Sequence, residues 1–534
     1  MKRTPRSVVV ATPCISEICF LAIFSTAFLT TISSLAATEA QTNVGELNPA
    51  EQWIVAQATA GDVADLDAAL NTDNTKKFPE EKDRKLRAHF LEDLLMGTLP
   101  SVKLHRHGVK IIGAIIDEPI DLKNAQIRCE VRLVSCRFSS RVSFVNATFG
   151  RTAGFTGSVF TTDADFYGMK VGNDADFSKT VFEGWVTFRA ANIVGVFFAA
   201  QAQFMNKEKM ANFEGIKVGS DGFFSNAVFE GTADFVVGNF LRSFYAGEAQ
   251  FRNKEKLVDF EAMKVGFAAF FSKTVFEGPT SFSGADIVTE LDMTGAKFQN
   301  KQTGVNFESM KVGTYATLND AVFEGPVNLR TAEFGRLDLS SAVWPKVTAQ
   351  FSMPGMSYKS IRAAPIEPES HKVLLKLADQ SAYTADVYSK LEEFFLRQGY
   401  RDDADRAFIA GKRRERKENL HGLGWLRSCL LDWLVGYGRR PWQAGIPCVV
   451  LVALGCVLFS PNKMELQRPE DTPRVYSRFW YSLGLFLPFV DLQVGKVWKP
   501  RADQTFLRNY MRVHILLGWI LIPLVLAALT GLIK

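Results

Sequence analysis

The chain has 534 residues, more than one compact core usually holds, so two or more domains are expected. Hydrophobic residues make up 47% of it, and the 44 Phe residues must either form a core or face lipid. The net charge of +5 is small for this length and argues against nucleic acid as a partner.

The N-terminus has the pattern of a secretory signal. Lys2, Arg3 and Arg6 precede an apolar run over residues 18–29, and Ser34-Leu35-Ala36 has small residues at the positions that a signal peptidase prefers. Residues 1–36 are therefore predicted to be a signal peptide or, if uncleaved, a signal anchor. Residues 37–107 are predicted to form an N-terminal helical cap region.

A long internal repeat follows. Four nine-residue stretches that end in Lys-Val-Gly begin at Ala164, Ala211, Val258 and Val305, at intervals of 47 residues. A Phe-Glu-Gly triplet recurs at the same interval after each of them. A fixed period of this length is typical of a solenoid.

A shorter period lies within this repeat. Large hydrophobic residues recur in alternating steps of five and six residues, which fits neither an amphipathic helix nor a simple alternating strand. The pattern indicates a coil that turns a corner at each step and points one side chain inward. The predicted interior ladder comprises Ile116, Leu122, Ile127, Leu133, Phe138, Phe144, Phe149, Phe155, Phe160, Phe166, Phe177, Phe182, Phe188, Phe229, Phe276 and Phe323.

Ala often stands two positions before the large residue, and Asp or Asn one position before it, as in Ala164-Asp165-Phe166. The small side chain fits a crowded interior, and the Asx side chain can bond its own backbone at a corner. This pattern resembles the pentapeptide-repeat family. The resemblance implies a mainly β fold, a right-handed quadrilateral β-helix over residues 108–345 with about ten coils of about 22 residues.

Two features depart from a regular coil. The extra residue at every second step leaves the corner geometry open. The 47-residue unit exceeds two coils by about three residues, and this surplus falls at Asn206, Asn253 and Asn300. These segments are predicted to be loops stacked on one side, serving either as a binding ridge or for solubility.

Residues 346–430 are predicted to be a linker and an α-helical hairpin, with helices over residues 372–380, 384–398 and 402–418. The hairpin is expected to cap the open end of the β-helix or to pack on the membrane part. The basic run from Lys412 to Lys417 favours anionic lipid headgroups over nucleic acid as its surroundings.

Residues 431–534 are predicted to be a transmembrane module. Residues 446–460 are apolar and reach spanning length if the segment begins near Pro441, and residues 513–533 are long enough to span. Pro488 and Asp491 interrupt residues 479–492, which either span or dip in and return. The order Gly436-Tyr-Gly-Arg-Arg-Pro441, then Leu487-Pro-Phe-Val-Asp-Leu492, resembles the C-terminal module of a bacterial family of pentapeptide-repeat membrane proteins. The resemblance implies a multi-pass inner-membrane protein and carries no activity to particular residues.

The sequence gives two conflicting signals about the side of the membrane on which the β-helix lies. A signal peptide would export the β-helix, whereas the positive-inside rule would keep residues 412–440 in the cytosol. The agreement among basic segment, apolar run and cleavage site favours export.

The predicted function is that of a membrane-anchored scaffold or interaction protein that is not an enzyme. The seven Cys residues form no C-x-x-C pair, and nucleotide-binding, metalloprotease and nucleophile-elbow motifs are absent from the sequence. No catalytic residue, metal ligand or cofactor is predicted, and the expected partners are the lipid bilayer and a protein or envelope polymer along the β-helix. The alternative is a channel or transport component in which residues 479–495 form a re-entrant segment and Asp491 is the ionisable residue.

Overall fold

The computed structural model describes residues 47–345, 351–468, 475–490 and 492–530. The predicted signal segment and Asp491 lie outside these residues.

The central part of the chain is a parallel β-solenoid, as the sequence predicted. Each turn contributes four short strands, and each strand pairs in parallel with the strand 22 residues further on, as Phe160 pairs with Phe182. The pairing distance becomes 25 residues where a turn contains one of the three predicted loops, as between Gln203 and Val228. One stack of strands holds 11 members, so the solenoid has about 11 turns.

Four stacks of strands run along the solenoid. The first stack comprises Ala64–Asp65, Val109–Ile112, Val131–Val134, Ala153–Gly154, Ala175–Asp176, Phe197–Phe198, Gly222–Phe223, Phe244–Tyr245, Ala268–Phe270 and Glu290–Asp292. The second stack comprises Ile115–Ile116, Arg137–Phe138, Val159–Phe160, Val181–Phe182, Gln203–Phe204, Val228–Phe229, Gln250–Phe251, Val275–Phe276, Lys297–Phe298 and Val322–Phe323.

The third and fourth stacks complete each turn. The third stack comprises Ile120–Asp121, Val142–Ser143, Ala164–Asp165, Val186–Thr187, Ala211–Asn212, Ala233–Asp234, Val258–Asp259, Thr280–Ser281, Val305–Asn306, Val327–Asn328 and Phe351–Ser352. The fourth stack comprises Gln126–Ile127, Thr148–Phe149, Lys170–Val171, Asn192–Ile193, Lys217–Val218, Asn239–Phe240, Lys264–Val265 and Asp286–Ile287. Three longer strands run through the fourth and first stacks and join them into one sheet: Lys311–Thr317, Glu333–Asp338 and Ser357–Arg362.

The solenoid extends beyond the predicted end of the repeats at Pro345. Phe351–Ser352 pairs with Val327–Asn328, and Ser357–Arg362 pairs with Glu333–Asp338. The sequence placed the boundary earlier because the Ala-Asx-Phe pattern fades in this last turn, although the backbone pairing continues.

Two kinds of corner alternate around each turn and explain the five- and six-residue steps. The five-residue step from Phe144 to Phe149 contains Asn146 at φ 54°, and the Ala147 N–H donates to the Phe144 carbonyl at 3.0 Å. A positive φ at the third residue of such a turn is typical of type II. The six-residue step from Phe149 to Phe155 contains no residue with positive φ.

The Asx residues bond the backbone at the corners, as the sequence predicted. The carboxylate of Asp176 accepts from the Ser178 N–H at 2.9 Å, and Asn212 accepts from the Glu214 N–H at 2.8 Å. These bonds satisfy backbone donors that the strand ladders leave unpaired.

The interior is filled by columns of stacked rings. From Phe138 to Phe323 the second-stack rings lie face to face on one another, with centroids 4.5–5.3 Å apart. A second column from Phe144 to Phe307 follows the third stack. All of the residues named above as the interior ladder are at most 2% exposed.

The interior also contains an exchange that the five–six path did not reveal. Phe197 pairs with Ala175 and so occupies a small-residue position, while Ala199, directly after this strand, takes the large-residue position. The same exchange recurs at Phe244 and Ala246. The exchange moves the large side chain by two positions and leaves the filled volume of the interior nearly unchanged. A close-packed core can therefore accommodate it.

Helices close both ends of the solenoid. Helices α1 (Pro49–Ala60) and α2 (Ala88–Met96) cover the first turn, and the 3₁₀ turn Glu81–Arg84 lies between them. Helices α3 (Glu367–Gln380), α4 (Ala385–Arg397) and α5 (Arg401–Asn419) cover the last turn. Their apolar side chains belong to the same buried cluster as the Phe columns, so they act as caps for the open ends.

The C-terminal module is helical. It contains α6 (Gly422–Val435), α7 (Gly445–Leu458), α8 (Arg478–Phe486), α9 (Val494–Val497) and α10 (Thr505–Leu529), with 3₁₀ turns at Gly436–Gly438, Pro441–Ala444 and Pro461–Lys463. Among the described residues, two helical segments are long and apolar enough to cross a membrane, Pro441–Leu458 and Thr505–Ala527.

Helix α8 differs from these two segments. It has 9 residues and is about 14 Å long, whereas a bilayer core is about 30 Å thick. Met464–Leu466 and Trp498–Pro500, which flank it, pair as antiparallel strands. The segment that contains α8 therefore begins and ends at neighbouring positions, where these two strands pair.

The stacked interior predicts a large difference between two Phe residues of the same turn. Phe260 is fully buried and stacks between Phe235 and Phe282, whereas Phe267 is 54% exposed. Phe260→Ala should lower the free energy of unfolding by about 3–5 kcal/mol, and Phe267→Ala by less than about 0.5 kcal/mol. Urea unfolding followed by circular dichroism measures both, and equal losses would contradict a ring-filled interior.

Burial of two neighbouring carboxylates predicts a dependence on pH. Asp234 and Asp259 pair across adjacent turns, and burial raises the pKa of both carboxyls. A raised pKa in the folded state favours folding at low pH, and this contribution is lost as pH rises through that pKa. Asp234→Asn/Asp259→Asn keeps the acceptor oxygens, so the variant should melt higher than wild type near pH 7 and no higher at about pH 3, where both carboxyls are protonated in the folded and the unfolded chain.

Asp165→Asn is the matched control for this pair. Asp165 occupies the same stack and has Arg141 at 3.7 Å, so its replacement removes an attraction rather than a repulsion. A melting temperature that rises equally in the control would show that the buried charges are not the cause.

Candidate functional site

A column of aromatic side chains stands on the outer surface of the first stack. Phe198, Phe223, Tyr245 and Phe270 occupy the outward position in four consecutive turns. Their ring centroids are 5.4, 4.7 and 5.0 Å apart, and neighbouring ring planes differ by 6–11°. The parallel register creates this column because it places each outward residue directly over its counterpart in the previous turn.

A second apolar column lies at the corner that precedes these strands. Val194, Leu241 and Val288 are 62%, 61% and 57% exposed, and Phe267 stands one position further along the corner. Together with the aromatic column, these residues form the apolar stripe: Val194, Phe198, Phe223, Leu241, Tyr245, Phe267, Phe270 and Val288.

Glycine alternates with the large residues in the corner column. A Cβ on Gly266 would lie 2.2 Å from the Leu241 carbonyl oxygen, and one on Gly219 would lie 2.1 Å from that of Val194. The turns approach so closely here that only glycine fits at these positions. The large apolar side chains of the corner therefore come from every second turn.

Charged residues bound the apolar stripe at both ends. Asp176 precedes Phe198 in the outward column and accepts from the Thr156 hydroxyl at 2.8 Å. Asp292 follows Phe270 and accepts from the Ser272 hydroxyl at 2.6 Å. The aromatic column therefore has defined ends, each marked by a negative charge.

The three loops lie elsewhere and are polar. The Asn253 amide donates to the Lys207 carbonyl and the Asn300 amide to the Lys254 carbonyl, both at 3.3 Å, so the loops stack on one another as predicted. Lys209 and Lys301 pair with Asp163 and Glu324. Exposed ion pairs of this kind contribute little to stability, which is consistent with a solubilising surface.

The C-terminal module contains a buried polar cluster. His514 is fully buried, with its Nε2 3.1 Å from the Ser482 carbonyl oxygen and its Nδ1 3.3 Å from the Tyr510 hydroxyl. The Ser482 hydroxyl donates to the Val452 carbonyl at 2.8 Å. Gly455 faces this cluster, since a Cβ there would lie 2.1 Å from the Ser482 Oγ. The cluster joins α7, α8 and α10.

Ion pairs tie the module to the solenoid cap. Arg439 pairs with Glu392 of α4 and with Asp405 of α5. The Asp432 carboxylate of α6 forms ion pairs with the guanidinium groups of Arg413 and Arg416 of α5, at N–O distances of 2.9 and 3.0 Å. The predicted helical hairpin thus packs on the solenoid through its apolar face and on the C-terminal module through its charges.

The sequence analysis predicted the interior columns and missed the apolar stripe. The available signal was a set of aromatic doublets, Phe197-Phe198, Phe223-Phe224, Phe244-Tyr245 and Phe270-Phe271. Neighbouring residues of a strand face opposite sides, so each doublet places one ring inside and the other outside.

A comparison of the chain with protein-family models, curated proteins and solved structures found no match.

Proposed function

We propose that this protein is a membrane-anchored scaffold that binds another protein along its apolar stripe and has no catalytic activity. The observation that carries the proposal is the outward column of four stacked aromatic rings on the solenoid, beside the exposed side chains of Leu241, Phe267 and Val288. Exposed apolar surface of this extent is a feature of interaction sites, because it gains free energy when a partner removes it from water. The four strands per turn also support membership of the pentapeptide-repeat class, with its right-handed quadrilateral cross-section.

A protein fits this surface better than an envelope polymer. Sugars bind to the flat faces of aromatic rings, but here the rings cover one another's faces and present only their edges outward. Ring edges and the aliphatic side chains of Leu241 and Val288 form a ridge that suits apolar side chains of a polypeptide.

An amphipathic helix that runs along the solenoid has matching dimensions. Its successive turns rise about 5.4 Å, and the outward rings are 4.7–5.4 Å apart. Apolar residues at helical spacing would therefore meet one ring per turn. Asp176 and Asp292 favour basic residues near the two ends of such a helix.

The membrane anchor is supported by the two apolar helices, whose side chains are largely unburied by the rest of the chain. We place the protein in the inner membrane as a multi-pass protein, with the solenoid exported. In this arrangement the solenoid presents the apolar stripe at a fixed distance from the bilayer, since Arg439 and Asp432 fasten its cap to the module.

Photocrosslinking from the apolar stripe tests the proposal. A photoreactive amino acid at Leu241 or Phe267 in the full-length protein, in intact cells, should yield a discrete protein adduct. The same group at Lys207 or Lys254, which are exposed on the stacked loops, should not. Phe223→Ser/Tyr245→Ser in the Leu241-labelled protein should reduce the adduct at least about tenfold, because the partner loses two contact rings.

Three results would count against the proposal. Adducts that persist in the double-serine variant would show that the stripe does not specify the contact. Adducts to lipid alone would make the stripe a membrane surface, and equal adducts from Lys207 would indicate random collisions.

A second function, transport through the module, is favoured by one observation. Helix α8 is too short to span, its flanking strands meet, and it brings Ser482 against the buried His514. An ionisable group inside an apolar helix bundle is typical of an ion or proton pathway. Asp491 stays a predicted component of this pathway.

Ion flux into vesicles containing the full-length protein tests this second function. His514→Ala should abolish a flux that His421→Ala, at an exposed histidine outside the bundle, leaves unchanged. A wild-type flux equal to that of protein-free vesicles would exclude transport of the ions tested.

A further inference from the structure

A basic cleft lies where the solenoid cap meets the membrane module. It has a volume of about 460 Å³, and its basic lining consists of Arg406, Arg413, Arg414, Lys417 and Arg440. Four of these residues come from α5, and Arg440 directly precedes Pro441, the first residue of a candidate membrane span.

Only some of these charges are neutralised within the protein. Arg406 pairs with Asp403, Arg413 with Asp432 and Arg414 with Glu418. Lys417 and Arg440 form no ion pair with any carboxylate in the described part of the chain.

A further donor is unused in the same place. The Nε of Arg414 is buried and has no hydrogen-bond partner among the described residues. A buried donor without a partner is costly, and the side chain that carries it lines the cleft.

An apolar helix lies beside the cleft. Helix α6 exposes Leu423, Leu426, Leu430 and Trp433, at spacings of three, four and three residues, and they therefore share one face. Trp442 is 66% exposed at the start of the following span. Trp at this level and a leucine face on a helix are typical of a segment that lies in the bilayer interface.

We propose that the cleft binds the phosphate headgroup of an anionic phospholipid, while the exposed face of α6 lies among the lipid chains. Basic side chains, a vacant donor and an apolar helix converge at the start of a membrane span, which is the chemistry of an acidic lipid and not of a soluble phosphate. This site is separate from the apolar stripe and does not depend on the proposed partner. Lipid binding would also explain the basic residue of α5 that no ion pair within the cap neutralises, Lys417.

Lipid binding to the purified full-length protein tests the proposal. Native mass spectrometry in detergent, with phosphatidylglycerol and phosphatidylcholine as probes, measures the dissociation constant of each lipid. Wild type should bind phosphatidylglycerol more tightly at one site. Lys417→Gln/Arg440→Gln should weaken the affinity of that site for phosphatidylglycerol roughly 30-fold, because each basic residue near an anionic headgroup contributes about a fivefold gain in affinity. The affinity for phosphatidylcholine should not change.

Lys170→Gln/Lys217→Gln is the matched control, because both lysines are exposed on the solenoid. It should bind both lipids as wild type does. Lys417→Glu/Arg440→Glu, checked for folding by circular dichroism, should abolish selective binding. Equal affinity for the two lipids, or unchanged affinity in the glutamine variant, would overturn the proposal. Displacement of phosphatidylglycerol by stoichiometric inorganic phosphate would assign the cleft to a soluble anion instead.

Discussion

The stacking of identical side chains on successive turns is the interaction on which this structure depends. A parallel ladder places each residue over its counterpart in the previous turn, so one Phe per turn becomes a continuous column. The column from Phe138 to Phe323 and the column from Phe144 to Phe307 fill the interior together. Because each ring is buried by its neighbours, no single turn can fold alone, and both ends require helical caps.

The same constraint shapes the outer surface. The register places the outward residues of successive turns over one another, so similar residues at that position form a stripe rather than a spot. The residues that repeat at the three loops are charged, whereas those that repeat on the outer face of the first stack are aromatic. The corner column shows the limit of this rule, since Gly266 must alternate with Leu241 where the backbones approach closely. The proposed recognition surface therefore follows the same turn-by-turn spacing as the core.

Much of the fold could be predicted from the sequence because the core repeats in register. The five–six spacing revealed the interior columns, and the Asx positions revealed their corner bonds. The exchange of Phe197 with Ala199 escaped the pattern, since a large residue shifted by two positions still faces inward. The last turn escaped as well, because strand pairing through Arg362 is made by the backbone and needs no particular side chain.

The candidate functional surfaces were harder to predict because they depend on contacts between distant parts of the chain. The sequence of a doublet such as Phe270-Phe271 does not indicate which ring faces outward, because that depends on the strand register. His514 is one polar residue in an apolar run, and its contact with Ser482 requires α8 to fold back. The basic run on α5 was visible, but its junction with Arg440 arises only when the cap docks on the module.

An electron cryomicroscopy structure of the full-length protein in a lipid nanodisc tests the central claim most directly. The account predicts a solenoid of about 11 turns standing clear of the disc, with Pro441–Leu458 and Thr505–Ala527 crossing the bilayer. Leu241, Tyr245 and Phe267 should then face water, free for a partner. A solenoid lying flat with these side chains in lipid would contradict the account, because the apolar stripe would then be a membrane contact.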